Sequence, residues 1–495
     1  MIKLILNKQK KKLIKVYNIS YLINHLFKSE RKISMTYIVV LAILIILIVA
    51  AFIYFKNDIL SPTIVSSAMY AFSTLLALLG LLSWNDEKTL PMKIIIILSS
   101  AMVAFFIGEI LARKLYKKVE NNNKKEKKKP NTVKLNKFVY IGTILFIIIT
   151  MICLVLEIKR ICNYYNFNSN SIPKLLAFYR TKIGLFSTAL ARDNVDIHFI
   201  IKQMKKTCDV LCVIWMYIFF NNTSEKKLKK NILNLIPIVL CLLCTLLTSG
   251  RSLMMHMIVS FLMMYLITRV TNYKKKEIIK LVKIIGICGA GALLAFYFIL
   301  PMTGRKTNAN AFDYLTFYLG TPIPSFSKTI DKIEPFKNKF GEDTFSGVYY
   351  TLNKLNIIDY QKPASHEWTN FSTFNSNVYT SIRSYYKDFG IVGVIICQLV
   401  FGFAISLLYL RIKDKKEPFP IIIYSYYAYV LIDQIRDEQF YSLLSSATVA
   451  YILIMIVLYV FFIKQDELFG FIKQNLKKIG VQYERNNKKS KRVQE

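Results

Sequence analysis

The sequence has little of the side-chain chemistry on which many soluble enzyme classes depend. Histidine occurs only four times in 495 residues, and no two histidines have the spacing of a zinc-binding helix. No P-loop motif is present, and no G-x-G-x-x-G motif precedes a predicted helix. These absences argue against an ATPase, a zinc protease and a Rossmann-type enzyme.

Acidic residues are also scarce: 30 Asp and Glu stand against 67 Lys and Arg, a formal net charge of +37. Such a balance is typical of nucleic-acid binding, but here the positive charge lies between long apolar runs, where it sets membrane topology. We therefore expect no nucleic-acid partner. Hydrophobic residues make up 54% of the chain and the mean hydropathy is +0.37. This composition predicts a protein that crosses a membrane several times.

Cysteine is present, but its placement does not indicate metal or redox chemistry. Cys241 and Cys244 form a C-x-x-C inside an apolar run of membrane-spanning length, and no second ligand pair accompanies them. We interpret the eight cysteines as small residues of the helix core.

The apolar runs predict an all-α polytopic membrane protein with about eleven spans, within a range of 10–12. A helix needs about 20 apolar residues to cross the hydrocarbon, because its backbone must satisfy its own hydrogen bonds there. The candidates are 35–55, 60–83, 92–112, 138–158, 199–220, 232–249, 252–270, 282–300, 389–410, 419–435 and 441–463.

The charge of the connecting segments predicts their orientation. The basic segments, among them 113–137 and the tail, face the cytoplasm by the positive-inside rule. The turn at Gly250–Arg251 and the charge-balanced region 301–388 then lie outside. Three spans precede the first basic loop, so parity places the basic amino end outside as well, against the rule. That conflict leaves the orientation of the amino end open.

These predictions divide the chain into five parts. They are a basic amino-terminal segment at 1–34 that forms an interfacial helix, transmembrane helices one to eight at 35–300, an extracytoplasmic loop module at 301–388, transmembrane helices nine to eleven at 389–463, and a basic cytoplasmic tail at 464–495.

Two arginines stand out, because the positive-inside rule disfavours arginine on the outer side. Arg251 lies in LLTSGRSLMM, in a tight outer turn, where it is either an anion clamp or an arginine that extends to the interface. Arg383 lies in NVYTSIRSYYKDFGIVG just before helix nine and is a second possible phosphate ligand. In the same motif, Asp388 is either a general base or the amino-terminal cap of helix nine.

Other outer residues have both a structural and a functional interpretation. Arg305 either flanks helix eight or binds an anion, and Arg436 either pairs with its acidic neighbours in DQIRDEQF or binds substrate. His366, beside Trp368, is either structural or part of a sugar site. His256 is an ionisable residue inside helix seven, and we interpret it as a neutral, hydrogen-bonded histidine.

Several short motifs, in order along most of the chain, resemble the bacterial oligosaccharide repeat-unit polymerases of the O-antigen and capsule type, the Wzy-type family. NVYTSIRSYYKDFGIVG at 377–393 is the most specific of them. The others are DILSPTIV at 58–65, FFIGEIL at 105–111, LLTSGRS at 246–252, FYLGTPIPSF at 317–326 and FGEDTF at 340–345.

The resemblance implies a multi-pass glycosyltransferase of the bacterial cytoplasmic membrane. Such an enzyme polymerises repeat units carried on undecaprenyl diphosphate, at the outer face of that membrane. Its substrate is the lipid-linked oligosaccharide, its surroundings are the lipid bilayer, and its candidate protein partners are a flippase and a chain-length regulator. No cofactor, metal or nucleotide sugar is implied.

The motifs suggest a division of labour among the candidate residues. Arg251 and Arg383, assisted by Arg305, stabilise the diphosphate, and Asp388 or His366 accepts the proton of the acceptor hydroxyl. The remaining candidates bind the sugars and their carrier: Tyr379, Tyr385 and Trp368 as platforms, with Asn377 and Arg436 beside them.

Three other functions stay open on the sequence. An O-antigen ligase-like transferase shares the arginines but delivers the glycan to a different acceptor. A non-enzymatic flippase of lipid-linked oligosaccharide predicts charges in helix centres and short outer loops. A membrane scaffold or sensor leaves the outer arginines and tyrosines unexplained.

Overall fold

The computed structural model describes most of the chain, and the account below is confined to that part. The described residues are 35–84, 89–121, 132–133, 135–180, 195–223, 231–248, 251–269, 275–301, 309–337, 339–360, 366–372 and 374–465. The predicted amino-terminal segment at 1–34, Gly250, Arg305 and nearly all of the predicted tail lie outside them.

Helices account for most of these residues. The helices before the predicted loop module are α1 Met35–Tyr54, α2 Pro62–Trp84, α3 Met92–Asn121, α4 Lys137–Tyr164, α5 Phe199–Thr223, α6 Leu235–Leu247, α7 Arg251–Arg269 and α8 Lys275–Phe298, and the described residues 172–180 are also helical. Seven follow: α9 Ala311–Gly320, α10 Pro322–Thr329, α11 Ser346–Lys354, α12 Ser381–Lys415, α13 Pro418–Tyr427, α14 Tyr429–Asp433 and α15 Ser446–Ile463. A two-stranded antiparallel hairpin pairs β1 Thr369–Asn370 with β2 Asn375–Ser376.

Eight helices in the described ranges are long and apolar enough to cross a membrane: α1, α2, α3, α4, α7, α8, α12 and α15. The protein is thus a largely helical, multi-pass membrane protein, as the composition predicts. Three predicted spans differ from this pattern. The run 199–220 forms the charged helix α5, the run 232–249 forms the shorter helix α6, and the run 419–435 is divided between α13 and α14. The count of eleven stays a prediction.

The inner helix α5 forms the centre of the largest core. Every side chain from Val210 to Phe220 is buried, and α4, α6, α7, α13 and α15 pack around it. Near its start, Lys205 forms an ion pair with Asp209 one turn along. Tyr451 donates a hydrogen bond to the same carboxylate at 3.1 Å. The polar partners of this pair offset the cost of burying it.

Glycines allow α3 and α12 to pack against one another along much of their length. A Cβ atom at Gly108 would lie 2.2 Å from the carbonyl oxygen of Leu399, and one at Gly402 would lie 2.3 Å from that of Phe105. Only residues without a side chain permit such close contact between helix backbones.

Helix α12 begins at Ser381 and not at the predicted 389, and it bends at Gly390, where φ is +61°. Glycine tolerates this conformation because it lacks a Cβ atom. The bend frees the carbonyl of Lys387, which accepts a hydrogen bond from Phe336 N at 3.2 Å. Asp388 therefore lies within the helix, so its interpretation as the amino-terminal cap is wrong.

A cluster of buried charges joins α2, α3 and α12 at one end of the bundle. Asp58 is fully buried and accepts hydrogen bonds from Arg113 at 2.9 Å, Tyr409 at 2.6 Å and Lys413 at 2.6 Å. Glu109, also fully buried, accepts from Ser61 Oγ and from the Thr63 amide at 2.8 Å. The charges are paired, so the cluster links three helices without an uncompensated buried ion.

Replacing Asp58 by Asn should destabilise the protein by about 2–3 kcal/mol, because Arg113 and Lys413 lose the carboxylate between them. Chemical unfolding of the purified protein in detergent measures this. The control is Asp331→Asn, in the exposed pair with Lys93, which should cost less than about 0.5 kcal/mol. Equal effects of the two substitutions would contradict the structural role of the cluster.

Candidate functional site

A polar cleft of about 400 Å³ lies where the start of α7, the helix α9 and the loop after α14 meet the 339–378 region. Its walls carry an unusual density of ionisable and hydroxyl groups. The residues that carry these groups include Ser252, His256, Tyr318, Asp343, Tyr360, His366, Asn377, Asp433, Arg436, Asp437 and Glu438.

The first group of charges in the cleft is a chain of three side chains. His256 Nε2 lies 2.6 Å from Asp433 Oδ2, and Arg436 Nη2 donates to the same oxygen at 2.6 Å. Asp433 and Arg436 are brought together by a tight turn, in which the backbone amide of Arg436 donates a hydrogen bond to the Asp433 carbonyl at 2.7 Å. The ring of His256 stacks on Tyr429 with a centroid distance of 3.8 Å. These contacts fix the imidazole and the guanidinium at the cleft wall.

A second histidine and carboxylate meet in the same cleft. His366 Nε2 lies 3.0 Å from Asp437 Oδ1. The backbone amide of Glu438 also donates to Asp437 Oδ1, at 2.8 Å, which holds the carboxylate in place. If Nε2 of His366 carries the proton of this hydrogen bond, Nδ1 keeps the lone pair that can accept another one.

Arg251, the first residue of α7, lies immediately behind this wall. It is 4% exposed, donates to the hydroxyl of Tyr314 at 3.2 Å, and lies with its guanidinium carbon 4.3 Å from the centroid of Phe296. Its Nε and Nη1 atoms are buried and have no hydrogen-bond partner among the described residues. No ion pair with a carboxylate is found for it in the same part of the chain. A buried cation with unused donors favours an anion as its partner.

Arg383 occupies a comparable position behind another part of the cleft. It is 1% exposed, pairs with Glu367 and lies 4.4 Å from the ring centroid of Tyr379. Burial by itself would raise the pKa of Glu367, but the charge of Arg383, the hydrogen bonds to the carboxylate and the charge of Lys387 together outweigh it, and the pKa is lowered. Two of the guanidinium nitrogens, Nε and Nη1, are again buried without a partner in the described ranges.

Aromatic rings connect these arginines to the cleft. Arg436 lies 5.6 Å from the ring centroid of Tyr318, and Tyr318 stacks on Tyr314, the hydroxyl partner of Arg251. On the other side, Tyr379 lies edge-on to His366 with a centroid distance of 5.8 Å. An arginine held by the face of a ring keeps its N–H edge available for hydrogen bonds. Arg436 and His366 thus line the cleft, and Arg251 and Arg383 lie behind it, each linked to the wall through tyrosine rings.

Glu438 is a buried acid at the edge of the cleft. Its carboxylate accepts hydrogen bonds from the amides of Tyr441 at 2.6 Å and Ser442 at 2.9 Å, and from the hydroxyl of Tyr385 at 3.3 Å. Burial raises the pKa of Glu438 to about 8, although the backbone donors act in the opposite direction. Near neutral pH this residue therefore holds a proton.

Other predicted site residues have different positions. Asn377 lines the cleft, whereas Asp388 is not among the residues that line it. The carboxylate of Asp388 accepts hydrogen bonds from the backbone amides of Thr344 at 2.7 Å and Asp343 at 3.4 Å. Asp388 thereby holds the segment that carries Asp343, which does line the cleft. Tyr379 and Tyr385 are buried, and Trp368 is 59% exposed outside the cleft.

The sequence interpretation assigned no site role to His256, Asp433, Asp437, Glu438 or Tyr318. The signals in the sequence are the ionisable His256 within a predicted span and the density of charge in DQIRDEQF, which by itself favours pairing within the segment. Arg436 does pair with Asp433 in that segment, yet both also face the cleft. Within the described ranges, no group of three or more His, Cys, Asp or Glu side chains is arranged to hold a metal ion.

Comparison of the chain with protein families, with characterised proteins and with solved structures finds no match.

Replacing Glu438 by Gln should flatten the pH dependence of stability. The pKa of Glu438 is raised from its ordinary 4.5 to about 8 on folding, so its proton stabilises the folded state at low pH. That contribution falls as the pH rises from about 4.5 to 8. The thermal midpoint of the parent protein should therefore decline over this range more steeply than that of Glu438→Gln. Parallel profiles of the two proteins would show that Glu438 is ionised throughout.

Proposed function

We propose that this protein is a membrane glycosyltransferase that polymerises oligosaccharide repeat units carried on undecaprenyl diphosphate. The reaction takes place at the outer face of the bacterial cytoplasmic membrane and produces O-antigen or capsular polysaccharide. The supporting observation is that Arg436 lines one polar cleft while the buried Arg251 and Arg383, each with unused guanidinium donors among the described residues, lie behind its wall. A diphosphate on a lipid carrier is an anion that suits such donors.

The proposed topology has eleven passages, with α5, α6 and the pair α13–α14 added to the eight long helices. With the basic loops in the cytoplasm, alternation along the chain places the start of α7, the end of α14 and the cleft outside. Met35 then lies outside too. The amide of Leu90, between α2 and α3, donates to Thr36 Oγ1 at 2.8 Å, which supports this placement of the start of α1.

Glycosyl transfer breaks the bond between the sugar C1 atom and the diphosphate oxygen and forms a bond from C1 to a hydroxyl of the next lipid-linked unit. Negative charge grows on the departing diphosphate. Arg436 at the cleft wall, with Arg251 and Arg383 behind it, stabilises that charge. Because these groups are fixed by aromatic rings and largely removed from water, little reorganisation is needed as the charge develops.

The acceptor hydroxyl must lose a proton, and His366 is the base in this proposal. Asp437 orients its imidazole, and Nδ1 accepts the proton, which then passes to solvent. Asp388 is less suitable, because its carboxylate already accepts two backbone amides. His256 is also less suitable, because its partner Asp433 shares its charge with Arg436.

The cleft wall also offers groups that bind sugars. Tyr318, Tyr360 and Asn377 line it, and they combine ring faces with hydrogen-bonding atoms as sugar recognition requires. Tyr379 and Tyr385 support the site from behind. A flippase and a chain-length regulator are the proposed protein partners, since the substrate must be delivered to the outer face and the product length set.

Arg251→Ala should lower polymer formation by about 10²-fold or more and leave single repeat units on the lipid, because a buried donor to the diphosphate is lost. Gel analysis of lipid-linked glycans measures the chain lengths. Arg160→Ala is the control, since Arg160 is a half-exposed arginine in an ion pair at the end of α4. Normal chain lengths with Arg251→Ala would refute the anion clamp.

The same gels distinguish the polymerase from the ligase-like alternative. If the protein is a ligase, loss of Arg251 leaves long lipid-linked polymer that is not passed to its final acceptor. If it is a polymerase, only single units accumulate. A flippase would leave those units facing the cytoplasm, where membrane-impermeant glycosidases added to intact cells do not reach them.

His366→Ala should reduce the polymerisation rate by about 10²-fold, as expected for loss of a general base, and added imidazole should partly restore it. Imidazole should not restore the activity of Arg251→Ala, because that variant lacks a cation that binds the diphosphate and not a base. His198→Ala is the matched control, because His198 is an exposed residue at the start of α5 outside the cleft. An unchanged rate for His366→Ala would assign the base elsewhere.

A further inference from the structure

A second, smaller cavity adjoins the polar cleft. It measures about 150 Å³ and lies between α7, the α13–α14 junction and the start of α15. His256 lines both cavities, so its ring forms part of the wall between them. The other residues that matter here are Leu253, Met257, Ala447, Thr448 and Tyr451.

The surface of this cavity is mainly apolar, although the hydroxyl of Tyr427, which also lines it, is buried without a hydrogen-bond partner in the described ranges. Ser260, which also lines it, donates its hydroxyl to the His256 carbonyl at 2.8 Å, within α7. Thr448 Oγ1 lies 3.2 Å from Ser445 Oγ, and the hydroxyl of Tyr451 donates to Asp209. Since these hydroxyls have partners elsewhere, the side chains present mainly carbon to the cavity. A hydrocarbon is the occupant that such a surface favours.

Helix α15 forms one side of the cavity through Ala447 and Thr448, and it packs mainly on α5 and α11. Its outward residues Val449 and Leu453 are 57% and 58% exposed, as expected for a helix in contact with lipid. The cavity therefore lies between the polar cleft, with which it shares His256, and a helix that has a lipid-facing surface.

We infer that this cavity holds the first isoprene unit of the lipid carrier and guides the tail from the cleft into the bilayer. The inference rests on the proposed function. A substrate with its diphosphate among the arginines has an apolar tail that must leave a polar cleft, and burial of that tail in the cleft would be unfavourable. An apolar cavity of roughly 150 Å³ accommodates a molecule the size of benzene, which is comparable to one isoprene unit.

The test fills the cavity and compares two substrates. Ala447→Trp places a large ring in the cavity, and Val449→Trp adds the same ring on the lipid side of the same helix as the matched control. Each variant is supplied in detergent with repeat units on undecaprenyl diphosphate or on a short, water-soluble alkyl diphosphate. A second measurement is photocrosslinking with a sugar-free isoprenoid diphosphate that carries a benzophenone near its first isoprene unit.

The inference predicts that Ala447→Trp loses about tenfold or more of its activity with the long carrier, because burial of the proximal tail no longer contributes to binding. Activity with the short carrier and all activities of Val449→Trp should stay near the parent values. Photocrosslinking to α7 should disappear in Ala447→Trp alone. If Ala447→Trp does not yield folded protein, Ala447→Leu takes its place.

The outcomes separate this inference from the proposed function. If Ala447→Trp keeps the parent activity with both the long and the short carrier and its photocrosslinking is unchanged, the tail site is overturned and the polymerase proposal stays intact. A parent protein that polymerises neither substrate would refute the proposed function, and the photocrosslinking would then decide the tail site by itself. Crosslinks to α7 that survive Ala447→Trp would also overturn it, since the tail would then follow another route.

Discussion

The cost of burying charge is the constraint on which this structure depends. A protein embedded in hydrocarbon can keep an ionised side chain inside only if a partner compensates it or if a ligand does so. Asp58 meets the first condition, since Arg113, Lys413 and Tyr409 surround it. Arg251 does not meet it among the described residues, since its closest polar contact there is a neutral tyrosine hydroxyl. This difference separates the structural charges of the bundle from those that suit an anionic substrate.

The cleft combines two environments that its proposed substrate requires. Its wall of arginine, histidine and carboxylate suits a reaction in which charge develops and a proton moves. The adjoining apolar cavity, across His256, suits the hydrocarbon to which that charge is attached. Both lie at the start of α7, because Ser252 and His256 line the cleft while Leu253 and Met257, on the adjacent face of the helix, line the apolar cavity. A single helix thus presents a polar and an apolar surface side by side.

Much of the architecture could be predicted from hydropathy, because a spanning helix has a length and composition that few other structures share. The differences between the predicted and observed helices have physical causes. Charged residues near the start of helix α5 lower its hydropathy. The structure nevertheless buries Lys205, because Asp209 compensates its charge, and a hydropathy profile does not take such a pair into account. Helix α12 begins eight residues before its apolar run, because helical structure continues through the polar approach and bends only at Gly390. The site was predicted only in part: outer arginines are conspicuous in sequence, but the contact of His256 with Asp433, 177 residues away, depends on the tertiary fold.

The bend at Gly390 has a mechanical consequence. The stretch of α12 before it carries Arg383 and Asp388, and the stretch after it lies among the membrane helices. Because the hydrogen-bond ladder is interrupted there and Phe336 binds the freed carbonyl, the two stretches are joined by a hinge. We therefore expect changes in bilayer thickness to tilt the inner stretch while the guanidinium of Arg383 keeps its place. Such an arrangement would let the protein keep the same site geometry in membranes of different lipid composition.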